Sequence, residues 1–181
     1  MNPRDLWNRL TAFFKMNPAP DNSNGALILR GDGTWPWTAY VDNGDIIVTN
    51  VRGTCFGGDS DPEDSGATAS GISTRNNPML RACALPMCYD GRNAALRKAL
   101  GGSPIPKIPW MTKVEIVANG KCLIVPVIDL GPAKRTGNAI DLTIAAARFF
   151  DSSATATRFE IRCSYRILGG AKHLTGKDSA E

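Results

Sequence analysis

The chain has 181 residues, 43% hydrophobic and 21% charged, which is ordinary for a globular protein with one core and modest appendages. A formal net charge of +4 is a mild excess: it suits an anionic polymer, a solvated basic surface accounts for it equally, and it falls short of a nucleic-acid footprint. No stretch approaches the roughly 18 uninterrupted apolar residues of a membrane span, and the N-terminal segment lacks the apolar run and small-residue cleavage site of a signal peptide.

In residues 3 to 15, Leu6, Leu10 and Phe13 with Trp7 and Phe14 recur at helical spacing behind Asn2 and Pro3, which predicts a short amphipathic helix. It either folds back on its own domain or docks on a protein partner or a membrane surface. Asn17–Gly25 is a linker by composition, so residues 1–25 read as a separable element. Residues 26–45 predict a hairpin-like prelude: Ala26 to Arg30 and Thr38 to Val41 are strand-like around Gly31-Asp32-Gly33, with Trp35 and Trp37 between them. Those rings either offer faces to a ligand or cover the end of a core.

Asp42-Asn43-Gly44 turns the chain into Ile46 to Phe56, the first strand of a main domain spanning 46–170. The loop from Gly57 to Gly71 carries Asp59, Asp61, Glu63 and Asp64; these are either a solvated turn or a source of a second carboxylate, and their spacing is not that of an EF-hand. Asn76 to Gly102 reads as irregular apart from a helix over Asn93 to Leu100 closed by Gly101. Lys113 to Val117 and Cys122 to Ile128 flank Asn119-Gly120, a strong hairpin signal. Asp141 to Phe150 reads as a helix that Asp141 caps. Arg158 to Ile167 alternates, with Phe159, Ile161, Cys163, Tyr165 and Ile167 inward. Residues 171–181 are a polar tail, and no solenoid repeat appears.

The five cysteines are odd in number, so at least one thiol is unpaired within a monomer. Cys83 and Cys88 are spaced so that they could bridge, while Cys122 and Cys163 read as small buried hydrophobes. With no CxxC pair and a single histidine, His173, neither a metal site nor a cofactor is expected.

Two short runs carry the chemistry. Val125-Pro126-Val127-Ile128 delivers Asp129 to a Leu130-Gly131-Pro132 turn, and Asn138-Ala139-Ile140-Asp141-Leu142-Thr143 follows. An acid emerging from an apolar strand at a turn is placed where a ligand can reach it. A turn-capping aspartate bonded to local amides is the plainer account.

With Thr68-Ala69-Ser70-Gly71 upstream, these motifs resemble the double-psi β-barrel domain of the RlpA (rare lipoprotein A) lytic transglycosylases. Expansins, barwin-like proteins and family 45 endoglucanases share that barrel. The resemblance covers roughly residues 46 to 170. It implies a mainly β fold, a six-stranded double-psi β-barrel with short peripheral helices, preceded here by the N-terminal amphipathic helix. It also implies a groove for peptidoglycan or a related β-1,4-linked glycan, with Asp129 as the family acid and Asp141 as the helix-start aspartate. Glycan contacts would come from Thr68 and Ser70 and from Trp35, Trp37 or Trp110.

A hydrolase needs two carboxylates, for which Asp64, Asp61 and Asp141 are the candidate partners of Asp129. A lytic transglycosylase can work with one acid, because a hydroxyl of the substrate itself attacks. The chain departs from the family where Ile72-Ser73-Thr74 replaces a segment bearing a glutamate, and where Ile108 to Thr112 lacks a histidine. Two readings follow: a glycan-cleaving enzyme, or a non-catalytic wall-binding (expansin-like) or phage-tail module using the same groove. Both place the protein at the cell wall, extracytoplasmic or virion-associated. Delivery would be by a virion, by a specialised secretion or lysis route, or with a leader already removed.

Overall fold

A computed structural model describes residues 27–58, 61 and 66–174. The expected N-terminal helix, the acidic residues Asp59, Glu63 and Asp64, and the chain after Leu174 lie outside the described residues.

Among the described residues, eight strands and two α-helices follow in order: β1 (Ile28–Leu29), β2 (Ala39–Asp42), β3 (Asp45–Phe56), β4 (Cys83–Leu85), α1 (Ala94–Leu100), β5 (Lys113–Ala118), β6 (Lys121–Leu130), β7 (Ile140–Thr143), α2 (Ile144–Phe150) and β8 (Ile161–Ile167). Six of them, in the order β3-β7-β4-β6-β5-β8, close on themselves through a β3–β8 pairing, so the molecule is a closed six-stranded β-barrel. The β3–β7 and β4–β6 pairs are parallel and the other four antiparallel. The β1–β2 hairpin adds to the first half of β3.

Strand β8 obeys its side-chain periodicity. In β8, Ile161, Cys163, Tyr165 and Ile167 are buried, while Arg162 points out. The β5–β6 hairpin turns at Asn119–Gly120, as the sequence predicts. β3 is 12 residues long and serves β2 with its first half and β7 with its second. A bulge between Val48 and Val51 bends it against β8, with Asn50 at φ +51°. Asn50 N–H donates to Ser164 Oγ at 3.0 Å, and Arg162 donates to the Asn50 carbonyl at 3.0 Å, so the bulge keeps its backbone groups paired.

Gly53 marks where β3 is squeezed: a Cβ there would lie 2.9 Å from Ile140 Cγ2 and 3.3 Å from Ile161 Cγ2. Tyr165 is fully buried in the core and donates its hydroxyl to the Ala139 carbonyl at 2.9 Å, which satisfies its one polar group.

Three expectations are corrected. The segment 76–102 is not irregular throughout, since Cys83–Leu85 forms a barrel strand held on both sides. Asp141 belongs to β7, and the helix begins at Ile144 with Thr143 as its N-cap, because the chain pairs with β3 and β4 before it can coil. All five cysteines are free thiols: Cys83 faces the barrel interior opposite Leu142 and Val127, whereas Cys88 lies beyond the strand and donates its N–H to the Ile105 carbonyl at 2.7 Å.

Candidate functional site

Asp129 would point into the core if β6 alternated regularly, because Leu123, Val125 and Val127 lie on the face that packs against Val114 and Ile116 of β5 or stands opposite Cys83. It does not, because the β4–β6 ladder steps from Cys83↔Val127 to Ala84↔Asp129, leaving Ile128 as an extra residue. That bulge turns Asp129 to the opposite face of the barrel wall.

Ala84 also stands opposite Asp141 on β7, and Asp141 opposite Thr54 on β3. Residues directly across a ladder share a face, so Thr54, Asp141, Ala84 and Asp129 form one lateral row over four strands. The backbones of the two acids are two strand spacings apart, about 9.5 Å. The sequence-predicted pair is therefore brought together.

Asp129 Oδ1 accepts from its neighbour Leu130 N–H at 2.8 Å and from Ala69 N–H at 2.9 Å. Ala69 is presented by the Thr68–Gly71 turn, which lies along the β6 edge through Ser70 N–H donating to the Ile128 carbonyl at 3.1 Å. Within that turn Thr68 Oγ1 donates to the Ile72 carbonyl at 2.8 Å and lies 2.9 Å from Ser70 Oγ. Both hydroxyls are thus engaged inside the turn, and Thr68 is buried; these residues shape the support of Asp129.

Asp141 Oδ1 accepts from the Thr54 hydroxyl. Burial pushes its carboxyl up to about 6, the Thr54 hydrogen bond opposes the shift, and the charges of Asp129 and Asp61 add to it. Asp61 accepts from Gly57 N–H at 2.9 Å through Oδ2, so the loop after β3 contributes one carboxylate to this field. Asp64 lies outside the described residues. Oδ2 of Asp141 lies 4.0 Å from where a Cβ of Gly131 would stand; Gly131 has φ +134°, a conformation that favours glycine, so the Asp129 turn passes close beside the second acid. Cys55, under the same field, is pushed up to about 12, mainly by burial, and stays a thiol.

Trp35 and Trp37 are not exposed stacking faces. Both are buried, their rings 5.2 Å apart, with Trp35 Nε1 donating to the Gly101 carbonyl and Trp37 Nε1 to the Asn138 carbonyl. They pack the prelude onto the barrel because a tryptophan buries more apolar area than a small domain can spare. Trp110 is 36% exposed and Met111 49%, on a turn whose Met111 N–H donates to the Val127 carbonyl at 2.9 Å, two residues from Asp129. A cavity of about 200 Å3 lies farther along β3 and β7, lined among others by Phe56, Thr74, Arg75, Thr143 and Arg148; neither aspartate lines it.

The sequence assigns no role to Arg52, Asn138 and Thr54, which form a hydrogen-bonded chain ending at Asp141. Asn138 lies three residues before Asp141, but only its side-chain hydrogen bonds to Arg52 and Thr54 on β3 reveal what it does. Among the described residues no cluster of three or more His, Cys, Asp or Glu side chains is arranged to hold a metal ion, and no helix is long and apolar enough to cross a membrane. Neither a known protein family nor a curated protein matches the sequence.

Proposed function

We propose that this chain acts on peptidoglycan, cleaving its β-1,4-linked glycan strands as an RlpA-like lytic transglycosylase, with Asp129 as general acid and base. The observation that carries this reading is the shared outer row of Asp129 and Asp141, created by the Ile128 bulge. Parallel β3–β7 and β4–β6 pairs, with the Thr68–Gly71 turn laid along the β6 edge, support a double-psi barrel.

In this mechanism Asp129 gives its proton to the glycosidic oxygen as the C1–O bond breaks. The 6-hydroxyl of the same muramic residue attacks C1 and returns its proton to Asp129, so a 1,6-anhydro ring forms without water. Because Oδ1 of Asp129 already accepts two backbone N–H groups, the transferable proton belongs on Oδ2. Asp141, a like charge in the same field, favours retention of one proton by the pair.

The test is mass spectrometry of purified peptidoglycan after incubation with the protein at mildly acidic pH. Anhydro-ended muropeptides are expected, and Asp129→Asn should lower their yield roughly a hundredfold or more while co-sedimentation with insoluble wall persists. Reducing-end products would mean hydrolysis. Wall binding without any product would favour the second reading, a non-catalytic wall-binding or phage-tail module, to which the missing family glutamate and histidine point.

A further inference from the structure

We infer that Arg52, Asn138 and Thr54 are positioning residues that align their hydrogen-bond donors in one direction and so confine the proton of neutral Asp141 to Oδ2, the oxygen beside the Gly131 turn. This deepens the proposed reading by saying how the second acid is held. The chain of donors starts at Arg52, a side chain that can only donate.

The Arg52 guanidinium gives Nε–H to Asn138 Oδ1 at 2.5 Å and a second N–H to the Thr136 carbonyl. A guanidinium accepts nothing, so the amide oxygen of Asn138 has to face it and the NH2 group has to face away. That NH2 donates to Thr54 Oγ1 at 3.0 Å. Thr54 has one hydroxyl hydrogen, and with the amide donating to its oxygen, that hydrogen goes to Asp141 Oδ1. Oδ1 is therefore an acceptor in either protonation state. When Asp141 is neutral, its own proton sits on Oδ2.

The fold holds the chain of donors from outside the row. Asn138 is buried, its carbonyl accepts from Trp37 Nε1 at 3.3 Å, and the adjoining Ala139 accepts from the Tyr165 hydroxyl at 2.9 Å while donating its N–H to the Arg52 carbonyl at 2.9 Å. The prelude, β3 and β8 thus converge on two residues. The other titratable groups that bear on Asp141 are Asp129 from β6, Asp61 from the loop after β3, and the thiols of Cys55 on β3 and Cys83 on β4. The hydrogen bond that the described residues show at Oδ1 is the one from Thr54, and it sets the direction there.

The experiment is a carbon-detected NMR titration of the Asp141 carboxyl in the full chain, with the Thr54 hydroxyl proton followed in parallel. Thr54→Val removes the Thr54 donor to Oδ1 at nearly constant volume. It should raise the Asp141 midpoint by about one pH unit, a tenfold gain in proton affinity, whereas Thr54→Ser should restore the wild-type midpoint. In the wild type the Thr54 hydroxyl proton should stay protected from exchange on both sides of the midpoint, because protonation at Oδ2 leaves its bond intact. An unchanged or lowered midpoint in Thr54→Val overturns the inference, and so does loss of Thr54 protection when Asp141 becomes neutral. The wild-type exchange measurement decides the matter even if Thr54→Val fails to fold. Because no glycan is present, failure here is separate from failure to cleave peptidoglycan.

Discussion

Asp141 is an acid held where its carboxylate is poorly solvated, and the consequence is a dependence of stability on pH. Its ordinary value of 3.8 is pushed up to about 6, chiefly by burial. The folded state therefore binds this proton more tightly than the unfolded chain, so the associated stability is fully present below 3.8 and is lost as pH rises through about 6. The two-unit difference corresponds to roughly 3 kcal/mol. Asp141→Asn should accordingly raise the thermal midpoint at pH 8 and change it little at pH 4, as thermal unfolding at the two values would show. Helix capping does not enter, since the cap is Thr143. The tryptophans divide by burial. Trp35→Ala and Trp37→Ala should each cost about 3–5 kcal/mol in denaturant unfolding, and Trp110→Ala, at a half-exposed turn, less than about 1 kcal/mol.

At the scale of elements, the long strands and the short ones differ in how far local pattern governs them. β3, β5, β6 and β8 carry enough apolar residues to be read as strands, although bulges interrupt the period in β3 and β6. β4 has three residues, all buried, and β7 has four, so neither has a period to read. They are strands because partners on both sides complete their ladders. Where β3 passes between β7 and β8 the available space admits no side chain. Gly53→Ala should therefore destabilise the barrel by about 1–3 kcal/mol, through displacement of Ile140 and Ile161, with a matching fall in the denaturant midpoint.

For the molecule as a whole, closure depends on pairs such as Val51 with Cys163, which join the first barrel strand to the last. No strand of the ring can be lost without opening two ladders. Unfolding should consequently be a single cooperative transition in which far-ultraviolet circular dichroism and tryptophan fluorescence coincide, and refolding should fall in the millisecond-to-second range of non-local β topologies. Separate transitions by the two probes would instead mean that the prelude carrying Trp35 and Trp37 unfolds independently.

By itself, the sequence determined the elements whose information is local: the β5–β6 hairpin through Asn119–Gly120, the alternating strand β8, the helix capped by Asn93, and the presence of Asp129 and Asp141 in neighbouring motifs. Only the tertiary structure decided which way those acids face. A period-two reading of β6 sends Asp129 into the core, and the single extra residue in the β4–β6 ladder reverses it. The donors around Asp141 were illegible for the same reason: Arg52 and Thr54 lie on β3 and Asn138 just before β7, and a hydrogen bond between them exists only because the parallel β3–β7 pair is part of a closed ring.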